Sequence, residues 1–180
     1  MRFYKLPLHG VFLVEPELRE DDRGAFARTW CQREFAVQDL DTRLVQCSTS
    51  YSRQKGTLRG MHYQAAPHTE AKLVRCTRGA IYAVVADMRQ HSLSYKLWCH
   101  MELTADNRHA VFVPAGCAFG FMTLADDSEV FYQMSEFFYP ELARGFRYDD
   151  PAFGITWPEA PAAISPRDLA QPRFVEAPRG

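Results

Sequence analysis

The sequence predicts an all-β domain, a sandwich or a barrel, and two observations carry that prediction. Short apolar runs of strand length recur at spacings of about ten residues, each closed by turn chemistry. Only one early stretch, CQREFAVQDL (31–40), has convincing helical character, and it is short.

In chain order, GVFLVEP (10–16) reads as a strand and DDRG (21–24) as a turn. LVQCSTSYS (44–52) and TLRGMHYQ (57–64) read as strands, with RQKG between them as a hairpin turn. KLVRCTRGAIYAVVADMR (72–89) reads as the clearest hairpin. Lys72, Val74 and Cys76 alternate with Leu73 and Arg75, TRG turns, and AIYAVVAD continues as a buried strand. YKLWCHMEL (95–103), HAVFVP (109–114), FMTL (121–124) and EVFYQMS (129–135) supply further strands. TADN (104–107) reads as a turn and PAGCAFG (114–120) as a Pro/Gly loop, while the tail from Tyr139 is Pro-, Arg- and Asp-rich and less regular. No repeat, low-complexity segment or linker divides the chain, so a single domain over 1–180 is expected.

The bulk numbers narrow the function classes. The chain has 180 residues, 47% hydrophobic and 13% aromatic, a globular composition. With 21 basic and 22 acidic residues the net charge is -1, which points away from a nucleic-acid groove or an anionic membrane surface and leaves room for a local basic pocket. No apolar run approaches the roughly 20 residues needed to span a bilayer, and the N-terminal stretch reads as mature protein without a cleavage site. The five cysteines (31, 47, 76, 99 and 117) are scattered and form no C-x-x-C. This pattern argues against a disulfide framework or a thiolate zinc site and fits a reducing cytoplasm.

The stretch GTLRGMHYQ (56–64) places Arg59 and His62 where a strand would carry Val or Ile. In a regular strand the two side chains point to opposite faces. Gly60 between them suits a bulge that re-aims one of them. Lys72 and Tyr132 are likewise polar residues at core-like strand positions. Histidine is the ordinary general base near neutral pH, lysine stabilises an oxyanion, arginine forks onto phosphate, and tyrosine donates a proton. Each also has a bland reading: a solvated strand charge at Arg59, a hydrogen-bonded core histidine at His62, a snorkelling Lys72 and a core Tyr132.

The ordered blocks DDRGAF (21–26), TLRGMHYQ (57–64), AKLVRCTRGAIYAVVADMR (71–89), ELTADNRHAVFVPAGCAFGF (102–121), EVFYQ (129–133), DDPAFGITWP (149–158) and ISPRD (164–168) resemble the dTDP-4-dehydrorhamnose 3,5-epimerase family. The resemblance implies a cupin-type fold, a double-stranded β-helix or jelly-roll barrel with short peripheral helices. It implies a cofactor-independent epimerase that inverts C3, C5 or both on a nucleotide-linked 4-keto-6-deoxyhexose. By position, His62 would be the base, Asp168 its orienting carboxylate, Tyr132 the proton donor and Lys72 the stabiliser of the enolate oxygen. Arg59, Gln46, Ser48, Phe119, Phe138 and Arg167 match substrate-contacting positions. Arg23 and Phe26 match residues that reach a neighbouring subunit's site, which implies a homodimer.

The chain departs from the family at several of these positions. Phe119 replaces the usual histidine of PxGxAHGF, Arg28 a glutamate, Ser48 an asparagine, Phe137 and Phe138 paired tyrosines, and Ala143 a glutamate. The proton-transfer set is retained while the ligand-contacting shell is altered, so a related substrate or inversion at one carbon is expected beside the double epimerisation.

Three rival readings remain at this stage. A metal-dependent cupin resembles an H-x-H strand with a further histidine after P-x-G, but here Gln64 and Phe119 stand at those places, and His68 and Glu70 lie in the loop PHTE, expected to be solvated. A 3,4-ketoisomerase and a non-catalytic sugar-nucleotide-binding cupin are the others.

Overall fold

The computed structural model describes residues 1–175. Twelve strands form two facing sheets. The first holds β1 (Arg2–Lys5), β2 (Phe12–Glu15), β10 (Ala110–Val113), β7 (Lys72–Arg78), β12 (Ser128–Met134) and β5 (Gln46–Ser52), in that spatial order. The second runs β13 (Ala143–Gly145), β6 (Thr57–Gln64), β11 (Cys117–Thr123), β8 (Ala80–Asp87) and β9 (Trp98–Thr104), and β14 (Ala163–Ile164) lies parallel to β6. A separate ribbon, β3 (Arg19–Asp21) and β4 (Gly24–Phe26), turns at Asp22 and Arg23, as the DDRG stretch predicts. The two helices, α1 (Gln32–Val37) and α2 (Pro166–Leu169), are short and peripheral. This is the cupin jelly roll that the sequence resemblance implies.

The core explains why so many strands read as continuous apolar runs. Between the sheets, Val74, Cys76, Val111, Val113, Ile81, Val85, Phe121 and Val130 pack into one cluster. The next residues along β7 and β10, Leu73, Ala110 and Phe112, face outward into a second cluster with Phe12, Val14 and Phe35. On the far side, Met61, Val84, Ala86 and Ala118 are covered by Phe146 and Phe153 from the C-terminal segment. Strands apolar on both faces lose the alternation of a half-exposed sheet.

Helix α1 is shorter than the 31–40 stretch. Cys31 is the extended N-cap, and Asp39 adopts a left-handed φ of 56° just past the end. Its one buried residue, Phe35, meets the rings of Phe3 and Phe112 edge-on at 5.2 and 6.0 Å.

Two turn assignments need correction. The stretches 44–52 and 57–64 are strands, but RQKG does not pair them: β5 joins β12 in the first sheet and β6 joins β11 in the second. The apparent hairpin at 72–89 fails in the same way, since β7 pairs with β10 and β12 whereas β8 pairs with β9 and β11. In both cases the chain crosses from one sheet to the other. At the second corner Gly79 takes a φ of 73°. Cys117–Gly120, read as loop, belongs to β11. The strands β1, β13 and β14 are additions that the irregular ends of the sequence do not announce. Among the described residues, the Gly60–Met61 and Ala66–Pro67 peptide bonds are cis. Among the described residues, no helix is long and apolar enough to cross a membrane.

The register of β6 against β11 answers the parity problem. Phe119 faces His62 and Phe121 faces Arg59, so two residues on β11 span three on β6, an irregularity centred on Gly60. Both polar side chains therefore share the inward face. Gly60 has a φ of 126°, and a Cβ there would lie 2.6 Å from the Cα of Gly120. Gly60→Ala combines a disfavoured φ with backbone overlap and is expected to cost about 2–4 kcal/mol. Thermal denaturation checks this, and an unchanged Tm would contradict the backbone approach.

Candidate active site

His62 and Asp168 are 106 residues apart in the chain and meet through two features of local folding. β6 delivers His62 to the barrel interior, and β14 runs beside β6 to set down the ISPRD turn. In that turn Ser165 caps α2, its hydroxyl accepting the Asp168 N–H at 3.0 Å with Pro166 at the first helical position. The Asp168 side chain is then buried, with Oδ1 2.7 Å from His62 Nε2 and Oδ2 accepting the Gly60 N–H at 3.4 Å. Burial by itself would raise the Asp168 pKa. The hydrogen bond and charge of His62, with help from Gly60 and Ser165, outweigh it and hold the carboxyl below its ordinary value.

The imidazole is 41% exposed and opens onto a cavity of about 350 Å³. Tyr132 lines the same cavity from the opposite sheet. Burial pushes its phenol pKa upward, only partly offset by the Arg59 charge and by a hydrogen bond with Ser50, so the hydroxyl keeps its proton at neutral pH. Three arginines, Arg59, Arg144 and Arg167, also line the cavity. Arg59 is held toward β5, its Nε donating to Ser52 Oγ at 3.1 Å and its Nη2 to the Tyr51 carbonyl at 3.0 Å. A cavity with a half-exposed imidazole on a buried carboxylate, a protonated phenol and arginines along its wall suits proton transfer on an anionic ligand.

The structure brings six of the twelve sequence-predicted residues to the cavity wall: His62, Tyr132, Asp168, Arg59, Phe138 and Arg167. Ser48 lies directly across from Tyr132 in the β5–β12 register, and Gln46 follows on the same face, where its Oε1 accepts the Phe138 N–H at 3.0 Å. Phe119 is buried in the barrel core with its ring edge-on to Tyr132 at 6.2 Å. Lys72 is inward-facing but is not a wall residue; its ammonium pairs with Glu70, and both side chains are largely buried. Burial lowers the Lys72 pKa and Glu70 opposes that shift. Glu70 is therefore not the solvated loop residue its surroundings in PHTE suggest. Arg23 and Phe26 sit on the exposed β3–β4 ribbon, outside the cavity wall; Phe26 is 69% exposed.

Sequence reasoning missed Ser50, Tyr63, Gln64 and Arg144 as wall residues. Ser50 and Gln64 were within reach of alternation, each lying two residues along a strand from a residue already singled out. Among the described residues, no three His, Cys, Asp or Glu side chains converge in the manner of a metal site.

Comparison with known proteins gives one answer. Residues 5–176 match the family described as dTDP-4-dehydrorhamnose 3,5-epimerase. A protein of that description from Sinorhizobium fredii is 40% identical over 179 residues, covering 99% of this chain and 92% of the relative. The crystal structure of the Bacillus anthracis dTDP-4-dehydrorhamnose 3,5-epimerase, solved with TDP and PPi bound, superposes with a TM-score of 0.93 at 32% identity, over 96% of this chain and 99% of that one. A 3'-monoepimerase from Streptomyces bikiniensis, solved with dTDP-quinovose, superposes with a TM-score of 0.85 at 30% identity, over 93% of this chain and 85% of that one.

The lowered Asp168 pKa has a sign that can be tested. A carboxyl held low in the folded state adds stability above its unfolded value, about 3.9, and that stability is lost as pH falls through the folded value. Asp168→Asn should therefore lower Tm at pH 7, and the gap to the parent should narrow as pH drops below about 4. Thermal unfolding between pH 7 and 3 reads this directly; a gap that stays constant would contradict the paired carboxylate.

Proposed function

The chain belongs to the dTDP-4-dehydrorhamnose 3,5-epimerase family, and on that premise we propose that the His62 cavity inverts C3, C5 or both of a nucleotide-linked 4-keto-6-deoxyhexose. The observation that carries the reading is the His62–Asp168 pair at 2.7 Å, facing one cavity with Tyr132 and the arginines. The chemistry follows from the ketone. A C–H bond next to a carbonyl is acidified because the departing proton leaves its electron pair delocalised onto oxygen as an enolate.

His62 is the base. With its Nε2 proton donated to Asp168, the lone pair stands on Nδ1, and the carboxylate stabilises the imidazolium that forms when the ring takes the substrate proton. Tyr132, kept protonated by burial, returns a proton to the opposite face of the carbon. After one inversion His62 carries an extra proton and Tyr132 lacks one, and exchange with solvent resets both. Only protons move, so the reaction needs no cofactor. The family resemblance gives Lys72 the enolate oxygen, a role that requires its ammonium to turn from Glu70, its partner in this structure, to the cavity wall.

Arg59 and Arg167 hold the diphosphate. Phe138, 52% exposed at the cavity edge, faces the nucleotide; Gln46 and Ser48 share the β5 face of the wall residue Ser50, and Phe119 backs Tyr132 from the core. The exposed β3–β4 ribbon supports the reading that Arg23 and Phe26 enter the site of a second copy in a homodimer. The cytoplasm, where nucleotide sugars are made, is the compartment this chemistry suits. Phe119 favours inversion at a single carbon as a second reading, since a phenyl ring buried against Tyr132 donates no hydrogen bond to a keto oxygen.

Two variants separate the proposed roles. His62→Ala should lower kcat by about 10²–10⁴-fold and, because it strips the buried Asp168 of its main partner, lower Tm at pH 7 as Asp168→Asn does while the chain still folds. Tyr132→Phe should still exchange the substrate's acidic proton with solvent while yielding far less inverted product. Steady-state assays and thermal denaturation check both, and a His62→Ala enzyme within about tenfold of the parent would remove His62 from the base role.

A further inference from the structure

We infer that Gln64 is a positioning residue whose carboxamide fixes Phe138 as an aromatic wall of the cavity. The inference rests on the proposal that Phe138 faces the nucleotide. Residues 137–139 belong to no strand or helix, so the sheet ladders do not hold them in place. Backbone bonds from Leu142 and Ala143 reach only the Tyr139 carbonyl, and side chains hold the rest. Gln64 Nε2 donates to the Phe137 carbonyl at 2.9 Å and to the His68 carbonyl at 2.6 Å, and its Oε1 accepts the Tyr139 N–H at 2.9 Å. Gln46 takes the one N–H left between them, that of Phe138, at 3.0 Å.

Gln64 is 3% exposed and lies two residues beyond His62 on the same inward face of β6. Both of its N–H donors are used within the protein, leaving none to offer a ligand. A carboxamide is suited to this task because it donates twice and accepts once on the same side chain; a carboxylate would set acceptors against two carbonyl oxygens. The grip also joins two loops, since the His68 ring stacks on Tyr139 with centroids 4.1 Å apart and planes 14° apart. Through Gln64 the strand that carries the base also carries the edge of the ligand site, at the position where the H-x-H pattern of metal cupins would place a second imidazole.

Calorimetric titration with dTDP, together with hydrogen exchange of the Tyr139 amide, tests this. Gln64→Leu and Phe138→Ala should each weaken dTDP by about tenfold, near the value of one lost aromatic stack. The double variant should bind no more weakly than either single one, because removing the clamp and removing the ring abolish the same contact. Tyr139 exchange should accelerate in Gln64→Leu and stay at the parent rate in Phe138→Ala. Should Gln64→Leu fail to fold, Gln64→Glu, equal in size, carries the same expectations. Parent-like dTDP binding by the Gln64 variant, or losses that multiply in the double variant, would overturn the positioning role. Parent-like binding by Phe138→Ala would instead overturn the aromatic-wall reading beneath it, so the two failures are distinguishable.

Discussion

The close approach of Gly60 to Gly120 is the constraint on which the site depends. Two antiparallel strands meet there backbone to backbone, with no room for a side chain on either, and the β6–β11 register slips by one residue. That slip turns Arg59 and His62 to the same interior face. It also leaves the Gly60 N–H pointing at Asp168, so the residue that re-aims His62 also helps hold its carboxylate partner. Substitution at this point would disturb His62, Arg59 and Asp168 together.

Around that contact the barrel acts as a rigid frame. Each sheet is apolar on both faces, with α1 covering one side and the C-terminal segment covering the other. The C-terminal segment does more than cover: it passes beside β6 and places Asp168 under His62. The segment that packs the outer layer thus also assembles the His62–Asp168 pair. The polar residues admitted to the interior are each compensated, His62 by Asp168, Lys72 by Glu70 and Tyr132 by Ser50.

Local signals in the sequence identify elements better than partners. Period and composition locate β2, β6, β8, β10 and β12 within a few residues, because strand propensity and burial are local properties. The stretch 72–89 looks like a hairpin because two strands flank a glycine turn, yet Gly79 serves equally well at a corner between sheets. Nothing within those eighteen residues distinguishes the two, since the deciding contacts are with β10, β11 and β12. The site divides along the same line. His62, Arg59, Lys72 and Tyr132 stand out as polar residues in apolar strands, and Gly60 signals the bulge. Asp168 lies in an irregular tail and emerges only through the resemblance of ISPRD to the family. The Glu70 pairing is invisible because PHTE reads as an ordinary polar loop, and the clamp made by Gln64 escapes notice because two of its three partners are backbone atoms 73 and 75 residues away.

The central claim is that this cavity moves protons on the carbons flanking a ketone. Proton NMR of dTDP-4-keto-6-deoxyglucose in deuterated water, with the enzyme added, tests it most directly. The account predicts that the C3 or C5 proton signal, or both, disappears as deuterium enters from solvent. Loss of both marks a double epimerase and loss of one marks a site that Phe119 has narrowed to a single carbon. Retention of both signals, repeated with the cytidine and guanosine sugars, would contradict the account.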